Sequence, residues 1–438
     1  MKQPITMFLL AIALVLPMLV VTCAPASKPV PSTAPLAIPE PESLSVFIPA
    51  DNTSESLPES QPTEPSTSLE MAGTDKSTSA FIDDSRVEEP VRLTASPANP
   101  DDIAHIFPLG LMSGAHITPV DHQYYYWNEL QVPLERYPVY SPTDGYVVNV
   151  QFLDNDYIVF IEHSPDMQTE FIHLEKLVGP LADIDGKVSW SKPMYVRVPV
   201  KAGEMIALDG GTNGFDFSVH DYSMTLVGFA NPNSYVVEPW KVHTADPYDY
   251  FVEPVLSQLL AKNVRQIEPL GGKIDYDIQG RLIGNWFVED SNGYAGLKRA
   301  SEPIKPDQQI GYWNTHLAIA PDPIDPTAII VSIGWFDGKT AQLAIKDINP
   351  SPEDVSVETG LVEYELVDWQ YVYGEKLEPW HGITRKAEKD IRVMAGTHIK
   401  GLVLFQMLGN ERLKMEVFPG MTIAEVSSFT GNARVYVR

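Results

Sequence analysis

From Ile106 onward the chain reads as short apolar runs that alternate with polar positions and stop at turn residues: YPVY, then SPTDG, YVVNVQF, DND and YIVFIEH. A period of two puts alternate side chains on opposite faces of a strand, so these runs predict antiparallel strands with a buried face. One stretch departs from the pattern. FVEPVLSQLLAKNV, Phe251 to Val264, has helical apolar spacing and no glycine, and predicts a helix. A second β-rich region follows it, through GKIDYDIQGRLIGNWFVED, AIIVSIGWF, LVEYELVDWQYVYG and GLVLFQML to ARVYVR. Its length suits a closed or nearly closed antiparallel barrel, which removes exposed strand edges. Upstream, Ala24 to about Pro97 shows neither period. Proline, serine, threonine and glutamate dominate there, and such text buries too little apolar surface to offset its ordering entropy. The expected fold is therefore mainly all-β. A leader over 1–23 and a disordered stalk over 24–97 precede a β domain over 98–250, a helix or connector over 251–265 and a β-barrel-like domain over 266–438.

Composition sharpens this picture in two places. With 31 Lys and Arg against 58 Asp and Glu, the formal net charge is −27, which repels phosphate backbones and argues against a nucleic-acid partner. The leader begins MKQ and runs apolar from Ile5 to Val21, and Cys23 directly after Thr22 is the only cysteine of the 438 residues. A basic start, an apolar run and a lone cysteine describe a secretory signal rather than a core helix. The sequence VVTCAP resembles a bacterial lipobox, although Thr22 replaces the usual glycine or alanine. That resemblance implies a lipidated Cys23, the membrane as partner and an extracytoplasmic, surface-anchored location.

The candidate chemistry lies between residues 106 and 222, in GAHITPVDH, SPTDGYV, IEH, FIHL, VKAGEMI and GFDFSVHD. In order and spacing these resemble the lysostaphin-type zinc endopeptidases of bacterial cell walls, built on a duplicated-hybrid-motif β-barrel. The resemblance implies a metal set of His116, Asp121 and Asp216, with His173 assisting proton transfer. Two departures stand out. His116 and Asp121 are one residue further apart than in the family, and Gly214 and Asp216 stand where two histidines are expected. His122 offers itself as a substitute ligand.

One histidine and two carboxylates make a harder site than a histidine-rich one, acceptable to zinc but shifted toward manganese, iron or magnesium. His163 reads as a strand-end residue bonded to backbone. Tyr124, Tyr126 and Trp127 follow the first motif directly and offer rings to a peptide or sugar in a groove. Three functional readings stay open. The β domain binds a peptide or glycan of the envelope without catalysis, or it is an active metal-dependent endopeptidase. Alternatively, the C-terminal barrel binds a small ligand.

Overall fold

The computed structural model describes residues 91–129, 133–153, 156–189, 192–210, 213–296, 311–380, 387–388 and 390–438. All belong to one compact unit, Pro58–Arg438. The leader, Cys23 and the stalk up to residue 90 lie outside the described residues. Residues 91–97, expected as the last part of the stalk, are folded. Leu93 is fully buried, its amide donates to the Tyr250 carbonyl, and it bridges Phe251. A pair of apolar residues in polar text is too short to show a period, so only its tertiary partner reveals it.

The first half is a sandwich of two sheets. Its strands are β1 (Ile103–Phe107), β2 (Gln123–Trp127), β3 (Tyr137–Tyr140), β4 (Gly145–Leu153), β5 (Asp156–Ser164), β6 (Met167–Leu174), β7 (Lys176–Leu177), β8 (Met194–Val200), β9 (Met205–Asp209), β10 (Gly214–Asp221) and β11 (Thr244–Ala245). The larger sheet runs β1-β2-β10-β6-β5-β4-β8, with β11 beside β10, and the smaller is β3-β9-β7. The alternation anticipated from sequence is visible in β2: Tyr125 and Trp127 are buried while Tyr124 and Tyr126 are half-buried. Trp127 stacks on Tyr137 of β3 at 4.4 Å and so joins the two layers, while Tyr125 stacks on Phe215 at 5.0 Å within the larger sheet.

The second half is a closed barrel. Its strands are β12 (Gly284–Val288), β13 (His316–Pro321), β14 (Ile329–Phe336), β15 (Lys339–Ile345), β16 (Leu361–Tyr373), β17 (Glu378–Pro379), β18 (Arg392–Gly409), β19 (Arg412–Pro419) and β20 (Arg434–Val437). Their order is β15-β14-β13-β12-β20-β19-β18-β16-β17, and an additional β15–β16 pairing closes the ring. Leaving out the two-residue β17, every strand pairs antiparallel with its sequence neighbours. Trp286, Ile319, Val331, Tyr364 and Phe405 fill the inside.

On the outer wall, Ala318, Ala320 and Ala344 pack with Met112 of the sandwich half. Small side chains let the two halves approach closely. Phe107, Trp380, Tyr124, Tyr126 and Tyr371 form a further shared cluster.

The helix expected from Phe251 to Val264 is shorter, Val255–Leu260. Phe251 is held in its bridge to Leu93 and Pro254 takes the N-cap. At the other end the Val264 amide donates to the Ile106 carbonyl. Tertiary pairing thus takes both ends of the apolar run from the helix.

Candidate functional site

The pairing register of β10 assembles the site. Asp216 lies opposite Tyr124 of β2 on one side and Ile172 of β6 on the other. Strand alternation sends Phe215 and Phe217 into the core and Asp216 to the opposite face, next to the last turn of β6 and the start of β2. His173, the penultimate residue of β6, has φ of +69°, a left-handed conformation uncommon for a non-glycine residue. That turn aims its ring at Asp216.

A row of alternating charges results. The Lys241 ammonium lies 3.0 Å from Asp121 Oδ1 and 3.7 Å from Glu238. His122 Nδ1 is 3.4 Å from Asp121 Oδ1, and its Nε2 is 3.4 Å from Asp216 Oδ2 and 3.2 Å from the Tyr124 hydroxyl. His173 Nε2 is 3.5 Å from the same Asp216 oxygen, and its Nδ1 is 2.9 Å from Asp156 Oδ2. Lys241, Asp121, His122 and Asp216 are all buried, whereas the His173 side chain keeps 45% of its surface in solvent. The row therefore runs from the interior to an open face.

Its electrostatics are self-consistent. Burial alone would raise the Asp121 carboxyl, but Lys241 and His122 hold it well below the carboxylate range. Burial alone would lower Lys241, and Asp121 and Glu238 raise it instead. For His122, burial is outweighed by Asp216 and Asp121, which raise it. For His173 the Asp156 hydrogen bond and the Asp216 charge overcome burial and lift it to about 9. Burial raises Glu238 to about 7, against the pull of Lys241.

Of the sequence-derived candidates, the structure brings some together and separates others. Asp216 and His173 meet, and Asp121 joins them only through His122. The exposed His116 has its ring 5.8 Å from that of His122, edge to face. Tyr124 and Tyr126 line a pocket of about 240 Å³ with His173, Asn213, Gly214 and Asp216. Trp127 does not belong to that groove. It has the opposite parity on β2, is buried, and donates its indole N–H to Asp209 at 2.6 Å. His163 is scaffold, as its sequence position suggested, with Nδ1 at 2.9 Å from the Asp144 carbonyl and Nε2 at 2.8 Å from the Thr169 hydroxyl.

Lys241 and Asp156 carry no motif and are missed by sequence reading. The one signal for Lys241, a lysine almost fully buried with paired carboxylates, exists only after folding.

The expected metal set of His116, Asp121 and Asp216 does not fit this arrangement. Among the described residues, no group of three or more His, Cys, Asp or Glu is arranged to hold a metal ion. Asp121 already carries a buried ammonium. A divalent ion on the same oxygen, at about 2 Å, would lie within about 5 Å of Lys241, with repulsion on the order of 6 kcal/mol at an effective dielectric of about 20. Gly214 is equally restrictive. A Cβ there would stand 1.9 Å from the Tyr125 carbonyl oxygen, so β2 and β10 pair too closely for the histidine that the family resemblance leads one to expect. What remains is a pocket with tyrosine faces, a cationic donor in His173 and an acceptor in Asp216. Tyrosine faces stack on rings, and a charged donor beside a carboxylate matches polar groups.

No family model and no curated protein matches the chain. Among solved structures it is similar to a zinc-containing peptidase from Vibrio cholerae, at 20% identity and a TM-score of 0.22, over 30% of this chain and 37% of that one. It is also similar to Helicobacter pylori Csd3, at 18% identity and a TM-score of 0.22, over 30% and 33% of the two chains. A third likeness is to the SpoIIQ–SpoIIIAH pore-forming complex, at 12% identity and a TM-score of 0.25, over 38% of this chain and 96% of that one. The matched region is little more than a third of the peptidase's length. No family assignment follows from these likenesses.

Proposed function

We propose that the sandwich is a non-catalytic binding module of the cell envelope, which takes a peptide or glycan in the cleft of Tyr124, Tyr126, His173 and Asp216. The motif order of the sequence supports descent from a lysostaphin-type peptidase. The observation that carries the loss of catalysis is the Lys241 ammonium on Asp121, because it neutralises from within the carboxylate that a catalytic ion would need. A lipidated Cys23 and a stalk would hold this module away from the membrane surface, and Cys23→Ser is expected to release the protein from membranes.

The test is metal analysis of the full chain purified without added metal, together with calorimetric titration of zinc, stem peptides and glycan strands. Zinc well below one equivalent is expected, along with saturable binding of one wall component that Tyr126→Ala weakens about tenfold. Lys241→Met, which removes the internal cation, is expected to increase zinc affinity. Stoichiometric zinc that His116→Ala removes, together with cleavage of the wall peptide, would establish instead the second reading, a metal-dependent endopeptidase. One observation favours that reading: the other oxygen of Asp121, Oδ2, is buried without a hydrogen-bond partner.

A further inference from the structure

The barrel is closed at one end and open at the other. At the closed end Arg438 lies 4.0 Å over the Trp286 ring and donates to the Ile278, Arg281 and Ile283 carbonyls and to Glu411. The opposite end holds a cavity of about 890 Å³, whose lining includes Trp335, Met415, Val417, Arg434 and Tyr436. Two facts place this cavity at the mouth of the lumen. Met415 and Tyr436 belong to the barrel's interior core and Val417 packs against it. In addition, β14, which carries Trp335, stands four strands from β19, which carries Met415 and Val417, whichever way the closed ring is followed. Diametrically opposite strands can line one cavity only across the barrel opening. The volume falls within the range of small-molecule sites, and barrel mouths are among their usual positions.

The lining narrows the ligand. Trp335, Met415, Val417 and Tyr436 offer an apolar wall. Around it Glu416 is engaged by the amide and hydroxyl of Thr430, so it is not available to a ligand. The other charged residues of the lining are Arg434 and two carboxylates, Asp337 and Glu425. The rim is thus net negative on a chain of charge −27, which disfavours an acidic head group. We propose that the barrel mouth binds an uncharged amphipathic small molecule, its apolar body against Trp335, Met415 and Tyr436 and its polar end at the rim. This site is separate from the sandwich cleft and stands whether or not the module reading of that cleft holds.

The test is fluorescence titration of the full chain with N-phenylnaphthylamine, an uncharged apolar dye, and in parallel with its acidic analogue anilinonaphthalene sulfonate. Saturable one-to-one binding of the neutral dye is expected, about tenfold tighter than of the sulfonate. Trp335→Ala is expected to weaken it about tenfold and Val417→Trp, which fills the mouth, to abolish it, with unchanged circular dichroism. Tyr126→Ala in the sandwich cleft is expected to leave it unaltered. Binding that never saturates, that survives Val417→Trp in a folded protein, or that prefers the sulfonate overturns the proposal.

Discussion

His173 combines a left-handed backbone, a half-exposed ring and two carboxylate partners, and its charge state sets the charge of the cleft. Its folded pKa of about 9 lies above the ordinary 6.5. The sign follows from linkage: the ion pair with Asp156 is fully present below about pH 6.5 and is lost as pH rises through about 9. Because the ring is half in solvent, screening keeps the stability effect small, and the ring itself is the better reporter. A nuclear magnetic resonance titration is expected to give a midpoint near 9, and Asp156→Asn to move it back toward 6.5. A midpoint already near 6.5 in the unmodified chain would mean that the Asp156 contact is absent in solution. Gly214 makes the complementary point. A histidine placed there meets the Tyr125 carbonyl first, so the residue that the resemblance leads one to expect has no room without moving a strand.

Among the elements, β2 and β10 define the cleft and Arg438 secures the barrel. The period of two in QYYYW gives Tyr124 and Tyr126 to the pocket face and Tyr125 and Trp127 to the core. Reading Trp127 into one groove with Tyr124 and Tyr126 overlooks that parity. At the closed end of the barrel, the Arg438 side chain is 1% exposed and pairs with Glu411 at 2.6 Å. Removing it takes the compensating cation from the partly exposed Glu411 and from the buried Asp277 at 3.8 Å, and one donor each from three carbonyls. Arg438→Ala is expected to destabilise the protein by about 3–5 kcal/mol in denaturant melts, as breaking a buried ion pair does. A loss under about 1 kcal/mol would mean that this end is held by the apolar core alone.

At the scale of the whole molecule, the barrel is part of the sandwich's environment. Phe107 lies 5.7 Å from Trp380, the amide of Ala387 donates to the Ala104 carbonyl, and Lys241 lies 5.0 Å over the Tyr294 ring. The deep end of the charge row is thus covered by residues from the other half of the chain. A chain ending after Arg265 would expose Phe107, Met112 and Tyr126 and leave Lys241 without that cover. It is expected to self-associate on a sizing column where the full chain does not. A monodisperse, cooperatively folding fragment would show the two halves to be energetically independent.

The strands and the barrel were legible in the text because a half-buried strand must alternate, and that constraint is local. The hairpin of β5 and β6, the structural His163 and the polar face of β10 were legible for the same reason. The shortened helix, the packed Val91–Pro97 and the face of Trp127 depended on partners far away in sequence. Lys241 illustrates the division best. Nothing within PWKVH distinguishes it from a solvated lysine, and only folding places it 120 residues away on Asp121. Sequence determined which ionisable groups the chain carries; the tertiary structure decided that Asp121 pairs with Lys241, because electrostatic partnership depends on distance in space and leaves no periodic trace along the chain.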